Sequence, residues 1–130
     1  RWNDSSDRRV LMEIYDNLLE DCKGVEWIEN AFKLAWKDYE SGLFSYDGAT
    51  FVKEVYNDYW EVASFIHDWL NVTGYIGKDI DLYFIKIMIH LQYPERRIYE
   101  RCKWMQLTFI NVLRHRIKGT FKSNKLPKFL

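Results

Sequence analysis

The stretch "SFIHDWLNV", residues 64–72, places a histidine and an aspartate side by side within an otherwise apolar run. Apolar residues in and before this stretch recur at helical spacing: Tyr59, Val62, Ala63, Ile66 and Leu70. This period predicts an amphipathic helix that begins near Tyr56. Neighbouring residues on a helix point about 100° apart, so His67 and Asp68 cannot both face one core. The stretch therefore predicts a core helix with two polar groups that need partners elsewhere in the chain.

Two further amphipathic helices are predicted on the N-terminal side. The apolar stripe of the first consists of Val10, Leu11, Ile14, Leu18 and Leu19. The stripe of the second consists of Trp27, Ile28, Ala31, Phe32, Ala35 and Tyr39. Gly24 and Gly42 follow these stripes, as glycine commonly follows the end of a helix. Because few residues join the two helices, we expect them to pack antiparallel.

The helical period breaks at "LFSYDGATF", where Asp47-Gly48 is a turn signal. After residue 78 the chain is apolar on nearly every side, which predicts a central helix: Leu82, Phe84, Ile85, Met88, Ile89 and Leu91. A last helix is predicted from about Glu95 to Lys118, followed by an extended tail. Its apolar stripe lies opposite a basic face and consists of Ile98, Cys102, Met105, Phe109, Val112 and Leu113. We therefore predict an all-α fold with one irregular loop at about residues 43–55. About five helices form a single compact domain over residues 1–118, and residues 119–130 form a basic tail.

Composition limits the classes of function. The chain has 130 residues, and its 19 Lys and Arg residues balance its 19 Asp and Glu residues. A neutral chain of this size has no global field that would recruit nucleic acid or an anionic membrane. Cys22 and Cys102 are far apart, so they indicate two buried thiols rather than a disulfide framework. No stretch is apolar enough to predict a membrane span.

Several residues could partner the His-Asp pair. The available groups are Asp47, Asp79, Asp81 and His90. A histidine with carboxylates suits a divalent metal, for which we consider His67, Asp68 and Asp81. It also suits acid–base catalysis, for which we consider His67, Asp68 and Asp47. A third interpretation needs no cofactor: the pair ties its helix to the Asp47 loop as a structural latch, because buried polar groups need partners.

The same residues carry a resemblance to a known family. The turn Asp47-Gly48-Ala49-Thr50, the run His67-Asp68-Trp69-Leu70 and the later helix residue Asp81 occur in that order. In this order and spacing they resemble domain of unknown function 1353, a small phage and prophage family. The resemblance covers about residues 43–91. It departs from the family pattern after the turn, where Phe51-Val52 stands in place of an Ile or Val followed by Pro. It implies a phage setting, in the virion or the host cytoplasm, and no particular reaction.

The C-terminal third is basic. Its candidate binding residues for nucleic acid or a protein partner are Arg114, Arg116, Lys118, Lys122, Lys125 and Lys128. Aromatic residues interleaved with them could stack on bases. The interpretation we favour is a solvated helix face with a tail that docks on a neighbouring subunit's acidic surface, and this charge asymmetry suits head-to-tail assembly.

Three hypotheses about function follow. The favoured one is a small phage-type structural or assembly protein that acts through contacts with other subunits, including copies of itself. The alternatives are a metal-dependent hydrolase using His67, Asp68 and Asp81, and a nucleic-acid-binding module using the basic C-terminal helix and tail. The sequence leaves open whether the protein is an enzyme.

Overall fold

The computed structural model describes residues 7–46, 61–104 and 108–130. In these ranges it contains six helices: α1 (Arg8–Asp21), α2 (Glu26–Glu40), α3 (Val62–Val72), α4 (Lys78–His90), α5 (Glu95–Trp104) and α6 (Thr108–Lys118). The described ranges contain no strand, so the predicted all-α fold is confirmed. Residues 47–55 of the predicted irregular loop lie outside these ranges, and residues 43–46 contain no helix.

The first two helices end before the glycines that the sequence predicts as their stops, and α1 begins one residue after Asp7 rather than after a cap at Asp4, Ser5 or Ser6, which lie outside the described residues. The Asp7 carboxylate accepts a hydrogen bond from the backbone N–H of Arg9 at 2.9 Å, which caps the start of α1. Gly24 adopts a φ of 93° just after that helix. This left-handed conformation suits glycine and turns the chain into α2. The two helices bury one stripe each, which includes Ile14 and Phe32.

Helix α3 occupies the centre of the molecule. Six of its residues are buried: Val62, Ala63, Phe65, Ile66, Trp69 and Leu70. The Phe65 ring lies between 5.2 and 5.9 Å from five aromatic rings, those of Phe32, Trp36, Tyr39, Phe44 and Tyr46. Aromatic pairs at such distances add to the free energy gained by burial alone. The high aromatic content of the chain therefore serves a core built around α3.

Helix α4 differs from the central helix that the sequence predicts. One face is buried and contains Ile80, Tyr83, Phe84, Ile87 and Met88. On the other face, Leu82 is 53% exposed and Ile89 is 59% exposed. The prediction of a central α4 is wrong, because apolar residues on every side of a helix do not ensure that every side is covered.

The predicted last helix is described in two stretches, α5 and α6, with residues 105–107 outside the described ranges. Ile98 and Cys102 of α5 pack against the core. Cys22 is buried and Cys102 is half-buried, and both are free thiols. Burial raises the pKa of the Cys22 thiol to about 12, so this thiol stays protonated and unreactive at neutral pH.

The tail at residues 119–130 contains no helix, and it packs against the turn between α3 and α4. The Lys122 N–H donates to the Gly74 carbonyl oxygen at 2.8 Å, and the Ile76 N–H donates to the Ser123 carbonyl oxygen at 3.0 Å. Gly74 has a φ of 96°, and a Cβ at this position would overlap the backbone of the tail. Glycine is needed here both for its conformation and for this close approach.

Candidate functional site

His67 and Asp81 lie in contact across the α3–α4 interface. The Nε2 atom of His67 is 2.9 Å from Oδ1 of Asp81, and both side chains are largely buried. The other ring nitrogen, Nδ1, lies 3.4 Å from the Asn71 side-chain amide. Both ring nitrogens therefore have a polar neighbour, and the arrangement fits the tautomer with the proton on Nε2. The Phe84 ring packs against the imidazole with its centroid at 4.8 Å.

Asp68 does not share this contact with Asp81. Its charge instead acts on the Tyr46 hydroxyl, as expected for a side chain rotated by about 100° from His67. Burial raises the pKa of the Asp68 carboxyl to about 6, and the nearby His67 opposes part of that shift. The carboxylate form of Asp68 is thus disfavoured by its partly apolar surroundings.

The predicted metal group is only partly assembled. Within the described ranges, no three His, Cys, Asp or Glu side chains come together in a way that could hold a metal ion. Of the proposed ligands His67, Asp68 and Asp81, the structure brings the first and the last together. Asp47, the remaining member of the predicted catalytic group, lies outside the described residues.

Two polar contacts of α3 are not predicted from the sequence. The indole N–H of Trp69 donates to the Asp38 carboxylate of α2 at 2.7 Å. The Arg101 guanidinium of α5 donates to the Ser64 hydroxyl. The quoted stretch 64–72 therefore makes polar contacts with α2, α4 and α5. A buried charge such as that of Arg101 is costly unless it has polar partners, so these contacts favour one arrangement of the helices over others.

Arg101 is buried, with 6% of its surface exposed. Its guanidinium lies 5.5 Å from the centre of the Tyr93 ring. Glu61 is buried as well. The charges of both residues influence the pKa of the Tyr93 hydroxyl, which Arg101 lowers and Glu61 raises. Burial raises the pKa of that hydroxyl well above its ordinary value. The sequence contained one signal for this burial: Arg101 stands three residues after Ile98, on the apolar stripe of α5.

Helix α6 turns its apolar side away from the protein. Four large side chains on this side are exposed, with exposed fractions of 70% for Phe109, 42% for Ile110, 54% for Leu113 and 78% for Ile117. We call these four residues the α6 outer face. The half-buried side chains of α6 are Asn111, Val112 and His115, which lie on the opposite side. The helix therefore contacts the protein through its less apolar side.

Basic residues border the α6 outer face. Arg114, Arg116 and Lys118 are all exposed. The remaining cations of the predicted binding group are exposed as well: Lys122, Lys125 and Lys128. All 19 acidic residues precede position 101, whereas eight of the 19 Lys and Arg residues follow Glu100. The chain is neutral as a whole but has a strongly basic C-terminal end.

The end of α6 is held by its connection to the tail. Nδ1 of His115 lies 2.8 Å from the Thr120 hydroxyl. The Thr120 N–H donates to the His115 carbonyl oxygen at 2.9 Å, just after Gly119 with its φ of 73°. Partial burial, with Lys118 and Arg114 nearby, lowers the pKa of His115. A neutral His115 retains the ring nitrogen lone pair that can accept from the Thr120 hydroxyl.

No family model, no curated protein and no solved structure matches this chain. The resemblance to the phage family consequently remains a prediction that rests on the residues themselves. In the described ranges, no helix combines the length and apolar character that a membrane crossing requires.

Proposed function

We propose that this protein is a small structural or assembly protein of phage type, which acts by binding other protein subunits through the α6 outer face. The observation that carries the proposal is the outward direction of four large apolar side chains on one helix. Single exposed apolar residues are common on protein surfaces, whereas a contiguous group bordered by charges is typical of a binding surface. The resemblance of residues 43–91 to a phage family supports the setting.

The charges around the face favour a particular kind of partner. Arg114, Arg116 and Lys118 border the apolar residues, and no acidic residue lies anywhere in 101–130. Their charge is best matched by carboxylates on the partner's surface. We therefore expect a partner surface that combines an apolar centre with an acidic border.

The size of the face sets the strength expected for one contact. An 11-residue helix is about 16 Å long, so its outer side buries much less than the roughly 800 Å² per partner of a standard interface. A single contact of this size is weak. In an assembly many such contacts act together, and the combined affinity exceeds that of each one. A weak, repeated contact is thus what a structural subunit needs.

The predicted latch, which ties His67 and Asp68 to the Asp47 loop, stays a prediction because Asp47 lies outside the described residues. In this proposal the latch is the bond between His67 and Asp81. The bond between His67 and Asp81 holds α3 against α4, next to the turn on which the tail is anchored. No cofactor is required for this role. The metal-dependent hydrolase would need a further ligand beside these two residues, so it remains a prediction to be tested by metal analysis of the purified protein.

The test compares two leucines with nearly equal exposure. Leu113 in the α6 outer face is 54% exposed and Leu82 on α4 is 53% exposed. Extracts of the cells that make the full-length protein are fractionated on a density gradient. Wild type and Leu82→Glu should sediment in an assembly, and Leu113→Glu should move to the monomer fractions. Assembly of Leu113→Glu at the wild-type level, or a wild-type protein found only as monomer, would contradict the proposal.

Nucleic-acid binding is the second candidate, because all six predicted binding cations are exposed. Affinity for a single strand of about 20 nucleotides should then fall steeply between about 50 and 200 mM salt. Deleting the tail would also disturb the α3–α4 turn, so the variant to use is Lys122→Gln with Lys125→Gln and Lys128→Gln. Binding that is unaffected by salt or by this variant would rule out the second candidate.

A further inference from the structure

The outer surface of α1 has the properties expected of the partner of α6. Met12 is 46% exposed, and Glu13 and Asp16 are exposed beside it. A shallow groove of roughly 620 Å³ runs along these three residues, with Arg8 and Arg9 at its N-terminal end. In the part of the chain that the structure describes, neither Glu13 nor Asp16 forms an ion pair. We call Met12, Glu13 and Asp16 the α1 acidic stripe.

We propose that the α6 outer face of one copy docks on the α1 acidic stripe of a second copy, which makes the protein a self-assembling subunit. This inference rests on the proposed function, because it names the partner of the same face. Met12 would meet the apolar residues Leu113 and Ile117. The carboxylates of Glu13 and Asp16 would face the basic residues at the border of α6.

Charge selects this pairing over a symmetric one. If two copies met through α6 on both sides, Arg114, Arg116 and Lys118 of each copy would be brought together, and like charges at an interface oppose association. Pairing α6 with α1 instead brings the cations of one copy to Glu13 and Asp16 of another, at the end of the groove away from Arg8 and Arg9. The opposite net charges of residues 1–100 and 101–130 favour a head-to-tail orientation over the symmetric one.

The pairing is heterologous, so each copy that uses its α6 keeps its own α1 free. Contacts of this kind repeat from copy to copy and produce rings when they close, or open filaments when they do not. Because the contact is small and charged, assembly should require high protein concentration and low salt. Head-to-tail pairing thus uses two different surfaces of each copy, whereas a symmetric dimer uses the same surface twice.

The experiment uses two variants of the full chain, each with one side of the contact disabled. Leu113→Glu with Ile117→Glu changes the α6 outer face, and Glu13→Lys with Asp16→Lys changes the α1 acidic stripe. All four residues are exposed, and circular dichroism checks that both variants fold. Sedimentation velocity is measured from about 10 to 500 μM protein at about 50 and 300 mM salt, a range over which screening of exposed charges increases strongly.

Wild type should form species larger than a dimer at the lower salt concentration, with association at least roughly tenfold weaker at the higher one. Each variant alone should remain monomeric. An equal mixture of the two variants should form a 1:1 dimer and nothing larger. The intact α6 outer face of one variant pairs with the intact α1 acidic stripe of the other, and the resulting dimer has no further intact surface. This dimer is specific to head-to-tail pairing.

Each other outcome overturns the inference in a recognisable way. If the α1 variant assembles like wild type while the α6 variant does not, the partner surface lies elsewhere and the proposed function stands. If neither variant changes assembly, both proposals fail. If wild type is monomeric throughout, the inference fails. If it then binds vesicles of phosphatidylglycerol and phosphatidylcholine through α6, mixed at about 3:7 to give an anionic surface, the face recognises lipid and the proposed function fails as well.

Discussion

Asp68 should make the protein less stable as the pH rises, and replacing it with asparagine should remove that effect. The cause is burial within α3, which raises the pKa of the carboxyl from 3.8 to about 6. The folded protein thus holds this proton more tightly than the unfolded chain does. Stability from this group is present at low pH and is lost as the pH rises from about 4 through 6.

The magnitude follows from the size of the shift. Each unit of pKa difference corresponds to about 1.4 kcal/mol, so the ionised Asp68 costs the folded state up to about 3 kcal/mol above about pH 7. An asparagine side chain at this position would be neutral in both states and would carry no such cost. The free energy of unfolding of Asp68→Asn minus that of wild type should therefore be about 1–3 kcal/mol larger at about pH 8 than at about pH 4.

The assay is urea unfolding of wild type and Asp68→Asn at unit steps from about pH 4 to pH 8, which spans the titration of this carboxyl. Taking the difference between the two proteins at each pH removes the contribution of all other titrating groups. Asp16→Asn is the matched control, because it makes the same chemical change at a side chain that is exposed on α1. A difference between Asp68→Asn and wild type that stays constant across the range would refute the reasoning.

Three further substitutions test contacts of α3 and of the turn that follows it. His67→Ala should lower the free energy of unfolding by about 1–3 kcal/mol, and a urea-unfolding cycle with Asp81→Ala should show coupling; strictly additive losses would contradict the latch. Trp69→Phe removes the indole donor to the Asp38 carboxylate and should cost about 1.5–3 kcal/mol, which an unchanged urea midpoint would exclude. Gly74→Ala should cost at least about 1 kcal/mol and speed proteolysis of the tail, whereas cleavage at the wild-type rate would show that the turn does not hold it.

The sequence predicts the helices well because the signals for them are local. Apolar spacing and the glycines after α1 and α2 depend only on nearby residues, and the structure places both helices where these signals indicate. Burial is not a local property. The exposed Leu82 of α4 and the buried Arg101 of α5 both depend on which element lies opposite. Composition along one helix cannot supply that information.

In the candidate site too, the local geometry can be predicted from the sequence and the tertiary contacts cannot. Helix geometry correctly separated the directions of His67 and Asp68, because that angle is a property of the helix alone. Asp81 was one of four possible partners, and only the packing of α4 on α3 selects it. The bond from Trp69 to Asp38 joins residues 31 positions apart, and no local pattern marks it. Pairs of this kind become visible only when the tertiary arrangement is known.

The direction of α6 is the feature on which the proposed function depends, and the sequence of the helix itself does not specify it. Its apolar stripe would look the same whether it faced a core or a partner. The residues that follow decide the outcome: the Thr120 N–H donates to the His115 carbonyl oxygen, and the Lys122 N–H donates to the carbonyl oxygen of Gly74. Because Gly74 lies between the two helices that the His67–Asp81 bond joins, the tail ties the end of α6 to that part of the core. Under the proposed function, His67→Ala should therefore weaken assembly in the density gradient although residue 67 is not part of the α6 outer face, and sedimentation at the wild-type level would contradict this link.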